Sequence, residues 1–213
     1  MDYITFDLFG LTLAEPNMFI TDCVIAFAAF FVLFKIQSNQ SLHYDLSLYK
    51  RFFMLTGIAA FIGGLGHLLK YYGGENIKVF GWIFSLLANF YILKSSTQYI
   101  NDSKTKEILL KIGSTKFLIA LIILFITKKF LIISIDTIIS IAFIALPIHF
   151  NQWKITKKNG FKVFCYGVIF SMLTAVVSGF KISISDLWFH DKDINHLVVS
   201  GGILIMGAGI RKL

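Results

Sequence analysis

The residues best suited to chemistry in this chain are histidines and aspartates set at helical spacing along apolar runs. His67 follows Gly63, Gly64 and Gly66 near the end of one such run. Asp193, His196 and Ser200 fall at i, i+3 and i+7, which is one stripe of a helix. His190 precedes that stripe. Asp22 follows Thr21 at the start of the first apolar run, and Asp136 lies within the fifth with Ser140 one turn on. Imidazole and carboxylate groups can ligate a divalent metal, and they can also exchange protons as general acid and base. Ionisable groups at membrane depth are costly, so a cluster of them marks a functional site.

The elements that must position these groups are membrane helices. The chain has 213 residues, of which 56% are hydrophobic and only 15% charged, and its mean hydropathy is +0.75. A soluble domain of this length needs more polar surface than that. Apolar spans are expected over about 17–36, 52–71, 78–98, 107–127, 130–150, 161–181 and 192–211, each near the ~20 residues needed to cross the hydrocarbon core. The predicted fold is all-α, a seven-transmembrane helix bundle over residues 17–213. Residues 1–16 form a separate N-terminal segment with Asp2, Asp7 and Glu15 and no Lys or Arg. That composition reads as interfacial, because a secretory signal starts with positive charge. No internal repeat, long linker or second domain is evident.

The net charge of +8 follows from lysines gathered in alternate loops. Lys50 and Arg51, then Lys104 and Lys106, then Lys154, Lys157 and Lys158, and finally Arg211 and Lys212 lie on one side. The opposite connections hold fewer cations, and the last of them is offset by Asp186, Asp191 and Asp193. The positive-inside rule then places the N-terminus outside and the C-terminus in the cytoplasm. His67, His190, His196, Asp22 and Asp136 come to the outer end, whereas His149 and His43 come to the inner side. No basic stretch interleaved with aromatics points to nucleic acid. Cys23 and Cys165 fall near opposite faces, too far apart to bridge.

Each candidate has a plainer reading beside its chemical one. Ala60, Gly63, Gly64 and His67 share a helix face, and the glycines allow close backbone approach, so His67 is either a metal ligand with room cleared around it or a hydrogen-bonded packing histidine. Asp193 could support His196 from behind or cap a helix N-terminus, and capping leaves His196 unexplained. Asp22 divides equally between a cap and a site group. Asn89 with Ser85, and Ser171, Thr174 and Ser178, read as interhelical hydrogen-bonding stripes. Trp188 and Phe189 read as interfacial anchors.

A site built of His67, His196 and His190, with Asp22 and Asp193 as the acid–base or supporting carboxylates, suits zinc. Zinc would lower the pKa of bound water towards neutrality and supply a hydrolytic nucleophile. An outer-leaflet position favours membrane lipids or a lipid-like substrate. This arrangement resembles the CREST superfamily of seven-helix proteins, which includes alkaline ceramidases and progestin/adipoQ receptors. His67 on the second helix and His196 on the seventh are the matching positions. The family's seventh-helix pair is His-x-x-x-His, whereas here His190 precedes His196 by six residues, Gly63 stands where the family has serine, and the third helix offers Asn89 in place of Asp. Glu15-Pro16, Thr21-Asp22, Gly63-Gly64-Leu65-Gly66-His67 and Asp193-Ile194-Asn195-His196 look closer to a bacterial group of such proteins. The resemblance implies a zinc-dependent hydrolase of a lipid amide or ester in a bacterial inner membrane. The competing readings are a metal-free receptor, a transporter or proton path, and a bis-histidine haem protein. Transporters usually carry broken helices and repeats, and the sequence shows neither. No central lysine on the seventh helix could hold retinal.

Overall fold

The computed structural model of the chain describes residues 4–37, 46–185 and 188–213. His43 and Asp186 lie outside these residues. The protein is an all-α bundle preceded by a β-hairpin. Strands β1 (Thr5–Leu8) and β2 (Leu11–Ala14) pair antiparallel, with Phe6 opposite Leu13 and Leu8 opposite Leu11. Seven helices follow, all long and apolar enough to cross a membrane: α1 (Pro16–Gln37), α2 (Ser47–Leu68), α3 (Gly74–Thr97), α4 (Ser103–Thr127), α5 (Leu131–Thr156), α6 (Asn159–Gly179) and α7 (Asp191–Ile210). The chain is an integral membrane protein. A 3-10 turn, Lys70–Tyr72, joins α2 to α3.

Local sequence explains the helix ends. Pro16 opens α1 at the position where its missing N–H costs nothing. Asp102 caps α4, its carboxylate accepting from the Thr105 N–H at 2.9 Å. These bonds from Thr105 pull the exposed Asp102 carboxyl below its usual range. Lys128 ends α4 in the left-handed region. Two spans are not continuous α-helix, which the sequence reading did not foresee. In α5, residues Ile138–Ala145 widen to a π-helix just ahead of Pro147. Proline offers no N–H and crowds the carbonyl four residues back, and a wider turn relieves that conflict. In α6, helix geometry breaks at Met172, beside a Ser171 hydroxyl that donates to the Gly167 carbonyl at 3.0 Å.

Glycine brings the helices together. A Cβ on Gly74 would stand 2.2 Å from the Gly66 carbonyl oxygen, and one on Gly81 would stand 2.9 Å from that of Ala59. On the other side of the bundle, a Cβ on Gly167 would lie 2.5 Å from the Met206 nitrogen, and one on Gly209 2.5 Å from the Phe164 nitrogen. Hydrocarbon tails are as apolar as leucine, so van der Waals contact between close backbones supplies much of helix association in lipid. The pairs α2–α3 and α6–α7 are built this way, and α1 lies between α2 and α7.

Helix α4 is held differently. It packs on α3 and α5 with few buried residues, and Lys116 on it forms an ion pair with buried Asp136 of α5. Asn89 of α3 donates to Asp136 Oδ2 at 2.9 Å and to Thr137 Oγ1 at 2.8 Å. Breaking one side of a buried pair leaves a charge without a partner. Asp136→Ala should therefore cost roughly 3 kcal/mol or more, whereas the double change Lys116→Met with Asp136→Leu should restore most of the loss. Reversible unfolding in mixed micelles, followed by far-UV circular dichroism, checks both.

Candidate functional site

The ends of α1, α2, α3 and α7 beside the hairpin carry a cluster of buried polar side chains. Helix α1 supplies Asn17, Thr21 and Asp22, all within its first two turns. Gly64 of α2 faces them: a Cβ there would meet Asp22 Cβ at 3.0 Å and Phe19 Cδ2 at 3.1 Å. The small residues on the His67 face of α2 thus admit α1, and with it Asp22.

Asp193 is fully buried. Its carboxylate accepts from Asn17 Nδ2 at 2.9 Å, from the Thr21 hydroxyl at 3.4 Å and from the His190 backbone N–H at 3.0 Å. The last bond is a reciprocal cap of α7, and the first two tie α7 to α1. Capping and site support are here the same interaction. Its neighbour one turn on, His196, places Nδ1 2.9 Å from Thr21 Oγ1 and 3.4 Å from Asp22 Oδ1. Asp22 is buried, and Lys78 of α3, also buried, lies within electrostatic reach of it.

His67 meets a residue from outside the helices. Its Nδ1 donates to Glu15 Oε2 at 2.6 Å, while the Lys70 ammonium donates to Glu15 Oε1 at 3.1 Å. Burial alone would raise the Glu15 carboxyl, but the hydrogen bonds and charges of His67 and Lys70 outweigh it and hold it at about 2, against an ordinary 4.5. The two imidazoles lie within electrostatic reach of each other, and each side chain is about one-fifth exposed, 21% for His67 and 22% for His196.

The hydrogen-bond partners set the tautomers. A carboxylate can only accept, so His67 carries its proton on Nδ1. The Thr21 hydroxyl has one proton and carbonyl or carboxylate acceptors at Met18 and Asp193, so it accepts from His196 Nδ1. In their neutral forms both rings therefore leave Nε2 with a free lone pair. Such a nitrogen can ligate a metal or take a proton. The acidic side chains of Glu15, Asp22 and Asp193 share this end of the bundle with the ammoniums of Lys70 and Lys78.

The structure therefore brings together Asp22, Asp193, His196 and His67. His190 joins through its backbone, at the N-cap of α7. Asp136 does not join, because its bonds run to Lys116 and Asn89. Among the described residues, no three His, Cys, Asp or Glu side chains are close enough to form a metal-binding group. Sequence reasoning missed the roles of Glu15, Asn17, Lys70 and Lys78. Lys70 and Lys78 both fall on the hairpin side, where cations are sparse. His149 lies apart, fully buried: its Nδ1 donates to the Ala145 carbonyl at 2.8 Å and its Nε2 accepts from the Tyr49 hydroxyl at 2.8 Å.

The Glu15 pairing has a pH signature. A carboxyl whose folded value lies below its unfolded one contributes stability that is present above the unfolded value and lost as pH falls through the folded one. Wild-type protein should lose this contribution between about pH 4.5 and about pH 2. Glu15→Gln should lie below wild type at pH 6 and show a flatter decline through that window, as read from melting temperatures in detergent.

Residues 18–213 match a family described as a family of unknown function (DUF6962). This stretch contains every histidine and aspartate of the centre, and Glu15 precedes it. No curated protein and no solved structure matches the chain. With nearly its whole length matched, the chain belongs to the DUF6962 family.

Proposed function

We propose that the protein is an integral-membrane, metal-dependent hydrolase acting on a lipid amide or ester at the hairpin end of the bundle, in keeping with its resemblance to the CREST superfamily. The observation that carries this reading is the shared disposition of two imidazoles from α2 and α7. Each has Nδ1 held by an α1 side chain or by Glu15 just before α1, and each keeps Nε2 for a ligand. His67 and His196 would supply nitrogen ligands to zinc and Asp22 an oxygen ligand, a donor chemistry that suits this metal. Bound zinc would acidify a water to a nucleophile near neutral pH. Glu15 orients His67, and Thr21 with Asp193 orients His196. Lys70 stands where it can meet an anionic headgroup.

A second reading rests on a different observation. Glu15 already has two hydrogen-bond partners, His67 and Lys70, and no three-ligand group is present among the described residues. A metal-free receptor or proton-exchanging centre would use the same Glu15–His67 and Asp22–His196 pairs. Metal analysis of detergent-purified protein separates the two. The hydrolase reading expects stoichiometric zinc, lost in His67→Ala with the helical circular dichroism unchanged, and an affinity lowered roughly 10- to 100-fold in Glu15→Gln. Wild-type protein that stays free of metal after zinc is supplied overturns it.

The lysine distribution further supports a bacterial inner-membrane orientation with the hairpin outside. A phosphatase and a fluorescent reporter fused after Leu213 should read cytoplasmic; a periplasmic signal reverses the orientation and moves the site to the other face.

A further inference from the structure

The hairpin has features that its pairing does not require. Its two-residue turn, Phe9-Gly10, puts both residues at positive φ, +50° and +79°. Asn, Asp or Gly suit the first of these positions, and a bulky side chain there is strained. Phe9 is nonetheless 96% exposed, so it gains nothing from packing within the chain. Strand alternation sorts the rest. Phe6, Leu8, Leu11 and Leu13 share one face in cross-strand pairs, while Thr5, Asp7 and Thr12 share the other, where the Thr12 hydroxyl donates to Asp7 Oδ1 at 2.7 Å. Leu13 and Ala14 are buried against the body, whereas Phe6, Leu8 and Leu11 are exposed.

The depth of the hairpin follows from its tether. The Thr12 N–H donates to the Tyr72 hydroxyl at 3.0 Å, and Tyr72 belongs to the short connection between the ends of α2 and α3. A connection between two spans lies at the membrane–water interface, and the exposed rings of Tyr71 and Tyr72 suit that level. The tip is two or three residues further on, at roughly 3.3 Å per residue, which keeps it within reach of the headgroup and upper acyl region. On its other side the hairpin runs directly into α1, whose Ile20, Val24 and Phe27 are exposed towards lipid. Residues 4–14 carry no Lys or Arg, so attraction to anionic headgroups is not what holds them.

We propose that the apolar face and the Phe9 tip of the hairpin are a lipid-binding surface, inserted in the leaflet that borders the histidine centre. The occupant is the acyl region of this leaflet, continuous with the belt around α1. The hairpin ends at Glu15, itself at φ +50° and paired with His67. Lipid contact at the tip and the carboxylate on His67 are thus joined by one short, rigid element. This inference holds whether or not the centre carries a metal.

The test places a nitroxide at single sites of the full chain in phosphatidylcholine nanodiscs, in a Cys23→Ala, Cys165→Ala background. Labels at Phe9→Cys and Leu8→Cys should collide severalfold more with oxygen than with a water-soluble nickel chelate, and a label at Asp7→Cys should show the reverse. Replacing part of the phosphatidylcholine with phosphatidylglycerol should leave these ratios unchanged. Labels at positions 8 and 9 that meet the nickel chelate as freely as position 7 overturn the proposal and point instead to an occupant in water. Labels that move into lipid only when phosphatidylglycerol is added overturn the apolar basis of the proposal.

Discussion

A charge in hydrocarbon must be paired, or the helix that carries it will not stay where it is. That constraint organises this bundle more than its apolar surface does, because nearly every surface of every helix is apolar. Three buried polar groupings each tie helices together. Asp193 with Asn17 and Thr21 ties α7 to α1. Asp136 with Lys116 and Asn89 ties α5 to α4 and α3. Tyr49 with His149 ties α2 to α5. Apolar packing between lipid-soluble helices has many near-equivalent registers. A carboxylate that meets its donors at about 3 Å has very few, so these groupings fix which helix faces which.

The glycine contacts and the polar groupings depend on each other. Gly64 has no side chain where Phe19 and Asp22 of α1 pass, so α1 can lie close against α2. Gly66 and Gly74 bring α3 equally close, which carries Lys78 towards the same region. A methyl group on Gly66 or Gly74 would force α2 and α3 apart, and one on Gly64 would press on Asp22 and Phe19. The centre is therefore sensitive to residues that never touch it.

Much of this was legible in the sequence, and the reason is the length and period of the signal. Seven runs of about 20 apolar residues leave little choice of fold, and the observed spans fall within a few residues of the expected ones except where helices continue beyond the apolar core, as α5 does to Thr156. The histidine stripes were legible because helical spacing fixes a shared face. Helix pairing was not. Period alone cannot say that Lys116, which looks like an interruption of α4, is the partner of Asp136, since the two meet only once α4 has packed against α5. Of the polar stripes, Asn89 bonds between helices as expected and Ser178 accepts from Asn195 at 2.7 Å, but Ser85, Ser171 and Thr174 bond back to their own helix carbonyls. The hairpin was hidden because Phe9-Gly10 lacks the usual turn chemistry, and Glu15 because its partner lies 52 residues away.

The centre's chemistry is constrained from both sides of each imidazole. A histidine serving only to pack would use both ring nitrogens, as His149 does with the Ala145 carbonyl and the Tyr49 hydroxyl, stacked 3.8 Å from Phe164. That residue shows what a purely structural histidine looks like here: fully buried, neutral by its partners, and satisfied at both nitrogens. His67 and His196 differ in exposure and in bonding. They are partly exposed, backed by carboxylates, and committed at Nδ1 alone by the bonds described. Such backing at Nδ1 is wasted on a ring that only fills space, because it fixes the tautomer and orientation that present Nε2 to a ligand. The contrast within one chain argues that the two rings at the hairpin end are kept for what approaches their free nitrogens.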